Sequence, residues 1–225
     1  MNVCMAPVPV VFDLDGTLID SAPDIHAAVN ATLRAAGYAP LSFDMIKGFI
    51  GQGVAHTWTQ IAHARAIPSD RIEDLLAGFM TRYHSATALT RIYPGVLEAL
   101  GALADAGHPL GICTNKPMGP TRAVLDHFGI AGLFAVVIAA DSLPERKPDP
   151  APLRKAMADL GADPRKPQGI YVGDSEVDAQ TAMALDVPFL LYTRGYRKAA
   201  VEALPHHAAF DDFAALPALI EQLRD

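Results

Sequence analysis

The hydrophobic residues of the chain fall into two different patterns. A short apolar run at residues 8–12 stands near the start, and comparable runs recur from residue 109 onward, each separated from the next by helical spacing. Runs of this length bounded by Gly, Pro or Asp are typical of buried strands. Strands that alternate with helices predict a parallel sheet with helices on both faces. The fold class that we predict is therefore α/β, with a Rossmann-like core.

The second half of the chain shows the alternation most clearly. Gly, Pro and polar positions separate the segments, so that approximate boundaries can be assigned. The predicted order is helix 94–106, strand 109–113, helix 119–127, strand 134–139, helix 151–160, strand 169–172, helix 176–185, strand 188–192 and helix 213–224.

A region of different composition separates the first strand from this series of helices and strands. Residues 21–89 are rich in Ala, Leu, Ile and Met, and residues such as Ile25, Val29 and Leu33 share one helix face. Breaks by Gly and Pro predict about four helices and no strand. We predict a core of residues 1–18 and 90–225 and an inserted helical cap of residues 19–89, whose two ends lie together at one edge of the sheet.

Composition narrows the class of protein. The chain has 225 residues, 51% of them hydrophobic, a formal net charge of −7 and two cysteines. Such a chain can bury a core, and its acidic balance argues against a nucleic-acid partner. Two cysteines form neither a disulfide framework nor a four-thiolate zinc site, so we expect Cys4 and Cys113 to be reduced. No membrane or export signal is evident, and we expect a cytoplasmic monomer or homodimer.

Polar residues cluster where the predicted strands end. Asp13 and Asp15 follow the first strand, Thr114 and Asn115 the next in the series, and residues 174–178 the strand 169–172, while Lys147 stands in a loop. Ligands bind at the carboxyl ends of strands in such sheets. We therefore expect these side chains to meet at one site.

The residue types suggest phosphoryl transfer. Two carboxylates with a third, Asp174, make a hard-oxygen site suited to Mg²⁺, which would also hold phosphate oxygens. A carboxylate can attack phosphorus, a second can act as general acid and base, and Thr114, Asn115 and Lys147 can stabilise the phosphoryl oxygens. Alternatives remain: the first two aspartates could form a turn, Thr114 could cap a helix, and Asp178 could be a first-turn helix charge.

Four segments in this order resemble the motifs of the haloacid dehalogenase superfamily, in its phosphatase branch. They are residues 13–17 (Asp-Leu-Asp-Gly-Thr), Thr114, Lys147 and residues 174–178. The resemblance implies that Asp13 is the nucleophile and Asp15 the general acid and base. It also implies a helical cap that closes over the substrate.

The resemblance also implies a ligand set. Thr114 and Lys147 would bind the phosphoryl group, and Asp178 would be a supporting acid. Mg²⁺ would be held by the carboxylates of Asp13 and Asp174 and by the backbone carbonyl of Asp15. True dehalogenases lack the second aspartate of the first motif, so its presence here favours phosphatase chemistry.

Within the superfamily, several segments are similar to the phosphoglycolate phosphatase family. They are residues 12–24, 50–53, 114–117 and 143–148. The similarity implies 2-phosphoglycolate as substrate and a substrate-binding loop at Gly51, Gln52 and Gly53, although that family commonly has Asn where this chain has Gln52. A sugar-phosphate phosphatase, a pyrophosphatase, a phosphomutase or a non-catalytic binding module are the alternatives.

Overall fold

The computed structural model describes residues 7–163, 165 and 168–223, so Cys4 and Arg224 lie outside the described residues. Eight strands are present in this part of the chain. They are β1 (Val10–Phe12), β2 (Ile19–Asp20), β3 (Arg91–Ile92), β4 (Leu110–Cys113), β5 (Val136–Ile138), β6 (Ile170–Gly173), β7 (Phe189–Tyr192) and β8 (Ala208–Phe210).

Six of these strands form one sheet in the order β5-β4-β1-β6-β7-β8. Every neighbouring pair is parallel. Strand β1 lies between β4 and β6, with Val11 opposite Gly111 on one side and Tyr171 on the other. The carboxyl ends of these three strands are therefore side by side, and this confirms the predicted α/β fold.

Nine α-helices are present among the described residues. They are α1 (Ala22–Ala35), α2 (Phe43–Lys47), α3 (Val54–Arg65), α4 (Ile72–Tyr83), α5 (Val96–Asp105), α6 (Met118–His127), α7 (Ala151–Asp159), α8 (Glu176–Leu185) and α9 (Leu216–Gln222). None of the described helices is long and apolar enough to cross a membrane.

The two faces of the sheet each carry a hydrophobic cluster. Phe12 of β1 belongs to the cluster that also holds Leu100 of α5 and Ile220 of α9, whereas Val11 belongs to the cluster with Leu153 of α7. Adjacent strand residues point to opposite faces, so one strand supplies both clusters. Complete burial of such a side chain contributes about 1.5–3 kcal/mol to the hydrophobic term.

Helices α1–α4 form a separate hydrophobic cluster, and we call them the four-helix segment. Trp58 of α3 and Phe79 of α4 are almost fully buried there, with ring centroids 5.7 Å apart. The Phe79 ring stacks on Tyr83 at 4.8 Å. No strand occurs between residues 21 and 89, all of which the structure describes, as the sequence predicts.

The two ends of the four-helix segment are joined by short strands. Ile19 of β2 pairs with Ile92 of β3 in an antiparallel ladder. The Asp24 carboxylate accepts hydrogen bonds from the N–H and the hydroxyl of Thr90, both at 2.7 Å. The ends therefore lie together, as predicted, whereas the division of the chain into a core and a cap stays a prediction.

Three local features differ from the sequence-based expectation. The pattern did not predict β8 or the pair β2–β3, since Ala-Ala-Phe carries little strand signal and two-residue strands are too short for periodicity. The predicted closing helix 213–224 is a 3₁₀ turn at Phe213–Ala215 followed by α9.

Candidate active site

The site lies at the carboxyl ends of the central strands. Asp13 directly follows β1, and its N–H donates to the carbonyl of Val172 in β6 at 2.9 Å. Thr114 directly follows β4, and its N–H donates to the carbonyl of Ile138 at 2.9 Å. These bonds extend the sheet by one residue, so both side chains start from fixed backbone positions.

Lys147 makes three contacts within the site. Its Nζ donates to Asp13 Oδ1 at 2.8 Å, to Asp178 Oδ1 at 2.7 Å and to the Tyr171 hydroxyl at 2.8 Å. All four side chains are buried. Because an ammonium group has three donors, Lys147 has its full set of partners.

Asp178 is an acceptor on both of its carboxylate oxygens. Oδ1 accepts from Lys147 and from the Tyr171 hydroxyl, at 2.7 and 2.8 Å. Oδ2 accepts from the N–H groups of Asp174 and Ser175 and from the Ser175 hydroxyl, at 3.2, 3.1 and 2.6 Å. Ser175 is the N-cap of α8 and forms a capping box with Asp178. Asp178 therefore joins the helix start to the lysine.

Asp174 directly follows β6 and is 1% exposed. Its Oδ1 accepts from the Thr17 hydroxyl at 2.9 Å, and Oδ2 accepts from the N–H of Tyr196 at 2.5 Å. A Cβ on Gly195 would lie 2.2 Å from Asp174 Oδ2, and one on Gly16 would lie 2.5 Å from it. The carboxylate thus occupies space that only glycines leave open.

Asp13, Asp174 and Asp178 each offer a carboxylate oxygen, and these three atoms lie within 4.8 Å of one another. With the Lys147 ammonium, the ionised cluster carries a net charge of −2 in a buried place. Such a charge is costly unless it is compensated, and a hard divalent cation with oxygen ligands would compensate it. The donor set therefore fits a divalent metal ion.

The pKa values in the cluster follow from this excess of acids. Burial raises the pKa of Asp13 to about 7, although Lys147 opposes the change. Burial and the neighbouring Asp178 raise the pKa of Asp174. Burial also opposes ionisation of Asp178, but Lys147 and the hydrogen bonds outweigh it and lower the pKa. Of the three acids, Asp178 is therefore the one whose charged form its surroundings favour most.

Asp15 lies outside this cluster of carboxylates. Its Oδ1 accepts from Lys116 Nζ at 2.9 Å and from the Ser21 hydroxyl at 2.5 Å, and Oδ2 lies 3.3 Å from the same Nζ. Lys116 also donates to the hydroxyl of Tyr83 in α4. The part predicted for the Asp15 backbone carbonyl as a metal ligand stays a prediction.

Thr114 and Asn115 connect the site to neighbouring loops. The Thr114 hydroxyl accepts from the N–H of Lys116 at 3.1 Å. Asn115 Nδ2 donates to the carbonyls of Gly51 and Lys147, at 3.0 and 2.9 Å. Asn115 therefore links the glycine loop of the four-helix segment to the loop that carries Lys147.

A cavity of about 40 Å³ lies beside these groups. The residues that line it come from both the sheet and the four-helix segment: Asp13, Asp15, Ile25, Ile50, Gly51, Gly53, Val54, Tyr83, Thr114, Asn115 and Lys116. Gln52 is exposed and is not among them. The structure thus brings the two aspartates of the first motif together with Thr114, Asn115, Gly51 and Gly53.

Sequence reasoning did not single out several residues of the site. Lys116 belongs to the segment 114–117, and its position beside Asn115 is the sequence signal that could have identified it. Tyr83, Tyr171 and Tyr196 carry no local pattern, because a buried tyrosine is typical of core packing. The three-dimensional contacts of their hydroxyl or N–H groups reveal them.

Fold and site together define the class as an α/β enzyme with a cluster of carboxylates at the ends of its strands. The sequence comparison then gives the family. The chain belongs to the haloacid dehalogenase-like hydrolases, whose family model matches residues 10–192.

Similarity to individual proteins is consistent with this family. The chain is 47% identical over 219 residues to a phosphoglycolate phosphatase of Rhodobacter capsulatus, covering 96% of this chain and 98% of the relative. It is 42% identical over 217 residues to a phosphoglycolate phosphatase of Rhodospirillum rubrum, covering 93% and 89%.

A solved structure shares the fold. It is that of a protein from Haemophilus somnus 129pt described as a predicted phosphoglycolate phosphatase. The TM-score is 0.89 at 29% identity, and the match covers 95% of this chain and 97% of that one.

Proposed function

We propose that the protein is a Mg²⁺-dependent phosphatase that hydrolyses 2-phosphoglycolate to glycolate and inorganic phosphate. The observation that carries the proposal is the placement of Asp13 and Asp15 on one small cavity, with Lys147 against Asp13. The names of the relatives from Rhodobacter capsulatus and Rhodospirillum rubrum support the choice of substrate.

In the first step, the Asp13 carboxylate attacks phosphorus and an aspartyl-phosphate forms. The bond between phosphorus and the ester oxygen breaks, and Asp15 donates a proton to that oxygen, so that glycolate leaves. Water then attacks the phosphorus of the intermediate while Asp15 accepts its proton. Inorganic phosphate and the free Asp13 carboxylate result.

Lys147 contributes charge and orientation. Its ammonium, 2.8 Å from Asp13 Oδ1, holds the nucleophile and lies where it can stabilise the phosphoryl oxygens. Burial opposes the charge on Lys147, but Asp13 and Asp178 outweigh it and raise the pKa. The lysine therefore stays charged, and Asp178 holds it in place.

Thr114 and Asn115 would complete the phosphoryl site. Both line the cavity beside Asp13. The Thr114 hydroxyl has a hydrogen to donate, because it acts as an acceptor toward Lys116. Gly51 and Gly53 face the same cavity from the four-helix segment, which we propose to be a cap.

Asp13 and Asp174 would hold Mg²⁺, together with the backbone carbonyl of Asp15, and Asp178 would support them. When bound, Mg²⁺ supplies positive charge that offsets the acids and stabilises the charge on the transferring phosphoryl group. Asp178 has its lone pairs engaged by Lys147, Tyr171 and the start of α8. This favours the supporting part for Asp178.

The experiment that tests the function is a substrate panel with Mg²⁺. 2-Phosphoglycolate should give the highest kcat/KM among small phosphomonoesters, pyrophosphate and sugar phosphates. A higher kcat/KM for a sugar phosphate or for pyrophosphate would show that this compound, and not 2-phosphoglycolate, is the preferred substrate. A phosphomutase would release little free phosphate and would need a bisphosphate primer, and absence of any turnover would favour a binding module.

The mechanism has its own test in Asp13→Asn. An amide is not a nucleophile at phosphorus, so kcat should fall by roughly 10⁴-fold or more while the folded structure is retained. Retention of full activity would contradict the aspartyl-phosphate. An unchanged circular-dichroism spectrum is the control for folding.

A further inference from the structure

Lys116 is the one basic side chain among the described residues that line the cavity beside Asp13. It is 6% exposed, and its Nζ contacts Asp15 and the Tyr83 hydroxyl. Lys147 contacts Asp13 but does not line this cavity. Lys116 is thus a second buried cation beside the groups that react in the proposed mechanism.

Tyr83 adds an available donor at the same place. Its hydroxyl oxygen accepts from Lys116, so the hydroxyl hydrogen remains free to donate. In the described part of the chain no acceptor faces that hydrogen, although Tyr83 is 4% exposed. Burial raises the pKa of Tyr83 to about 12, so the hydrogen is retained at neutral pH. A hydroxyl donor on the cavity wall that has no protein acceptor can donate to an anion that enters the cavity.

The start of α3 forms another part of the wall. Gly53 and Val54 line the cavity, and Val54 is the first residue of this helix. The first N–H groups of a helix lack intrahelical partners and favour a negative charge. Lys116, Tyr83 and the start of α3 therefore present donors to one space.

The size of the space limits the group that it can take. A cavity of about 40 Å³ has room for roughly three water-sized groups. A carboxylate is a group of that size, whereas a sugar ring is much larger. A short acidic leaving group therefore suits the space between Asp13 and Lys116 better than a sugar does.

We propose that Lys116 is the specificity-determining residue that binds the carboxylate of the substrate, with the Tyr83 hydroxyl as second donor. The assignment rests on the proposed function, and it selects substrates with an acid group on the carbon that carries the ester oxygen. The longer contact of Lys116, 3.3 Å to Asp15 Oδ2, is the one that the carboxylate replaces. The contact at 2.9 Å to Oδ1 keeps Asp15 beside the ester oxygen.

The experiment compares 2-phosphoglycolate with 2-phosphoglycolamide, in which a neutral amide replaces the carboxylate. The measured quantity is the ratio of the two kcat/KM values. The wild type should prefer the acid at least tenfold. Lys116→Met should lower this preference at least tenfold, Tyr83→Phe should lower it several-fold, and Lys116→Arg should restore part of it.

Lys47→Met is the matched control. Lys47 is a half-buried lysine of α2 that lies 5.1 Å from the Tyr196 ring centroid and does not line the cavity. The variant should keep the wild-type preference. Loss of the preference in this variant, with retention in Lys116→Met, would move the carboxylate site to Lys47 and overturn the assignment.

The remaining outcomes separate the two proposals. A wild type that hydrolyses neither compound overturns the proposed function itself. Equal losses on both substrates in Lys116→Met would mean that the lysine only positions Asp15, and that would overturn the specificity assignment. If Lys116→Met does not fold, the preferences of Tyr83→Phe and Lys116→Arg decide between the same outcomes.

Discussion

Lys147 and Asp178 form a buried ion pair with 2.7 Å between Nζ and Oδ1, and both side chains are at most 2% exposed. The two residues are 31 positions apart, one in the loop before α7 and the other in the first turn of α8. Asp178 therefore does more than complement the start of its own helix. It fixes the lysine that contacts Asp13.

Asp178→Asn should destabilise the protein by about 3 kcal/mol or more, as expected when one partner of a buried ion pair is removed. Both carboxylate oxygens accept hydrogen bonds, whereas an amide has one oxygen, so the NH₂ group would face either Lys147 or backbone N–H groups. Denaturant unfolding measures the change.

A matched control for that variant is Asp159→Asn on the surface. Asp159 pairs with Lys155 at 2.8 Å, but the side chains are 40% and 47% exposed. Its loss should change stability by less than about 0.5 kcal/mol. Similar losses of stability in the two variants would show that the buried pair contributes no more to stability than the exposed pair does.

In contrast to Asp178→Asn, Asp174→Asn should stabilise the protein when no divalent metal is present. An amide can keep both contacts of Asp174, since its oxygen accepts from Tyr196 N–H and its NH₂ donates to the Thr17 hydroxyl. The variant also removes one charge from a cluster with excess acid. We expect stabilisation by about 1–2 kcal/mol in the presence of a chelator.

The pH dependence of that variant has a definite sign. Burial raises the pKa of Asp174 in the folded state, so the wild type loses stability as pH rises above the usual carboxyl range. The amide that replaces this carboxyl group does not titrate. The stability advantage of Asp174→Asn should therefore grow from about pH 5 to about pH 8, and a constant or shrinking difference in thermal melts would contradict it.

In the presence of Mg²⁺, the wild type should be more stable than Asp174→Asn. Binding at 100 times the Kd stabilises the folded state by about 2.7 kcal/mol, which is roughly 5–10 °C in Tm for a chain of this length. The wild type should show this increase, and Asp174→Asn should show little of it. Equal increases in both would remove Asp174 from the metal site.

Gly195→Ala should impair metal binding through space alone. The added Cβ would lie 2.2 Å from Asp174 Oδ2 and 2.3 Å from its Cβ. We expect Mg²⁺ to bind at least tenfold more weakly, as measured by titrating the activity with Mg²⁺. Gly101→Ala in α5 is the control, because no atom other than those of its chain neighbours and its own helix backbone lies within 4 Å of the added Cβ. A slight gain in stability is expected there.

The sequence predicted the sheet because its strands are contiguous apolar runs. Strand β4, expected at 109–113, is Leu110–Cys113, and helix α8 has the predicted bounds Glu176–Leu185. Strand β8 was not predicted, since Ala208 and Ala209 carry no strand preference and pairing with β7 defines the strand.

The site could be predicted as far as strand ends determine it. Asp13, Thr114 and Asp174 follow adjacent parallel strands, so topology alone brings them together. The contacts of Lys116 could not be predicted in this way. Its partners Asp15 and Tyr83 are 101 and 33 positions away, and their meeting depends on how the four-helix segment packs on the sheet.

Trp58 gives the four-helix segment a natural optical probe. It is the single tryptophan of the chain, and its ring packs on Phe79, which stacks on Tyr83 beside Lys116. Tryptophan emission therefore arises entirely from this segment, and none comes from the sheet. Changes in the packing around Tyr83 can be followed by intrinsic fluorescence during turnover, without any label on the protein.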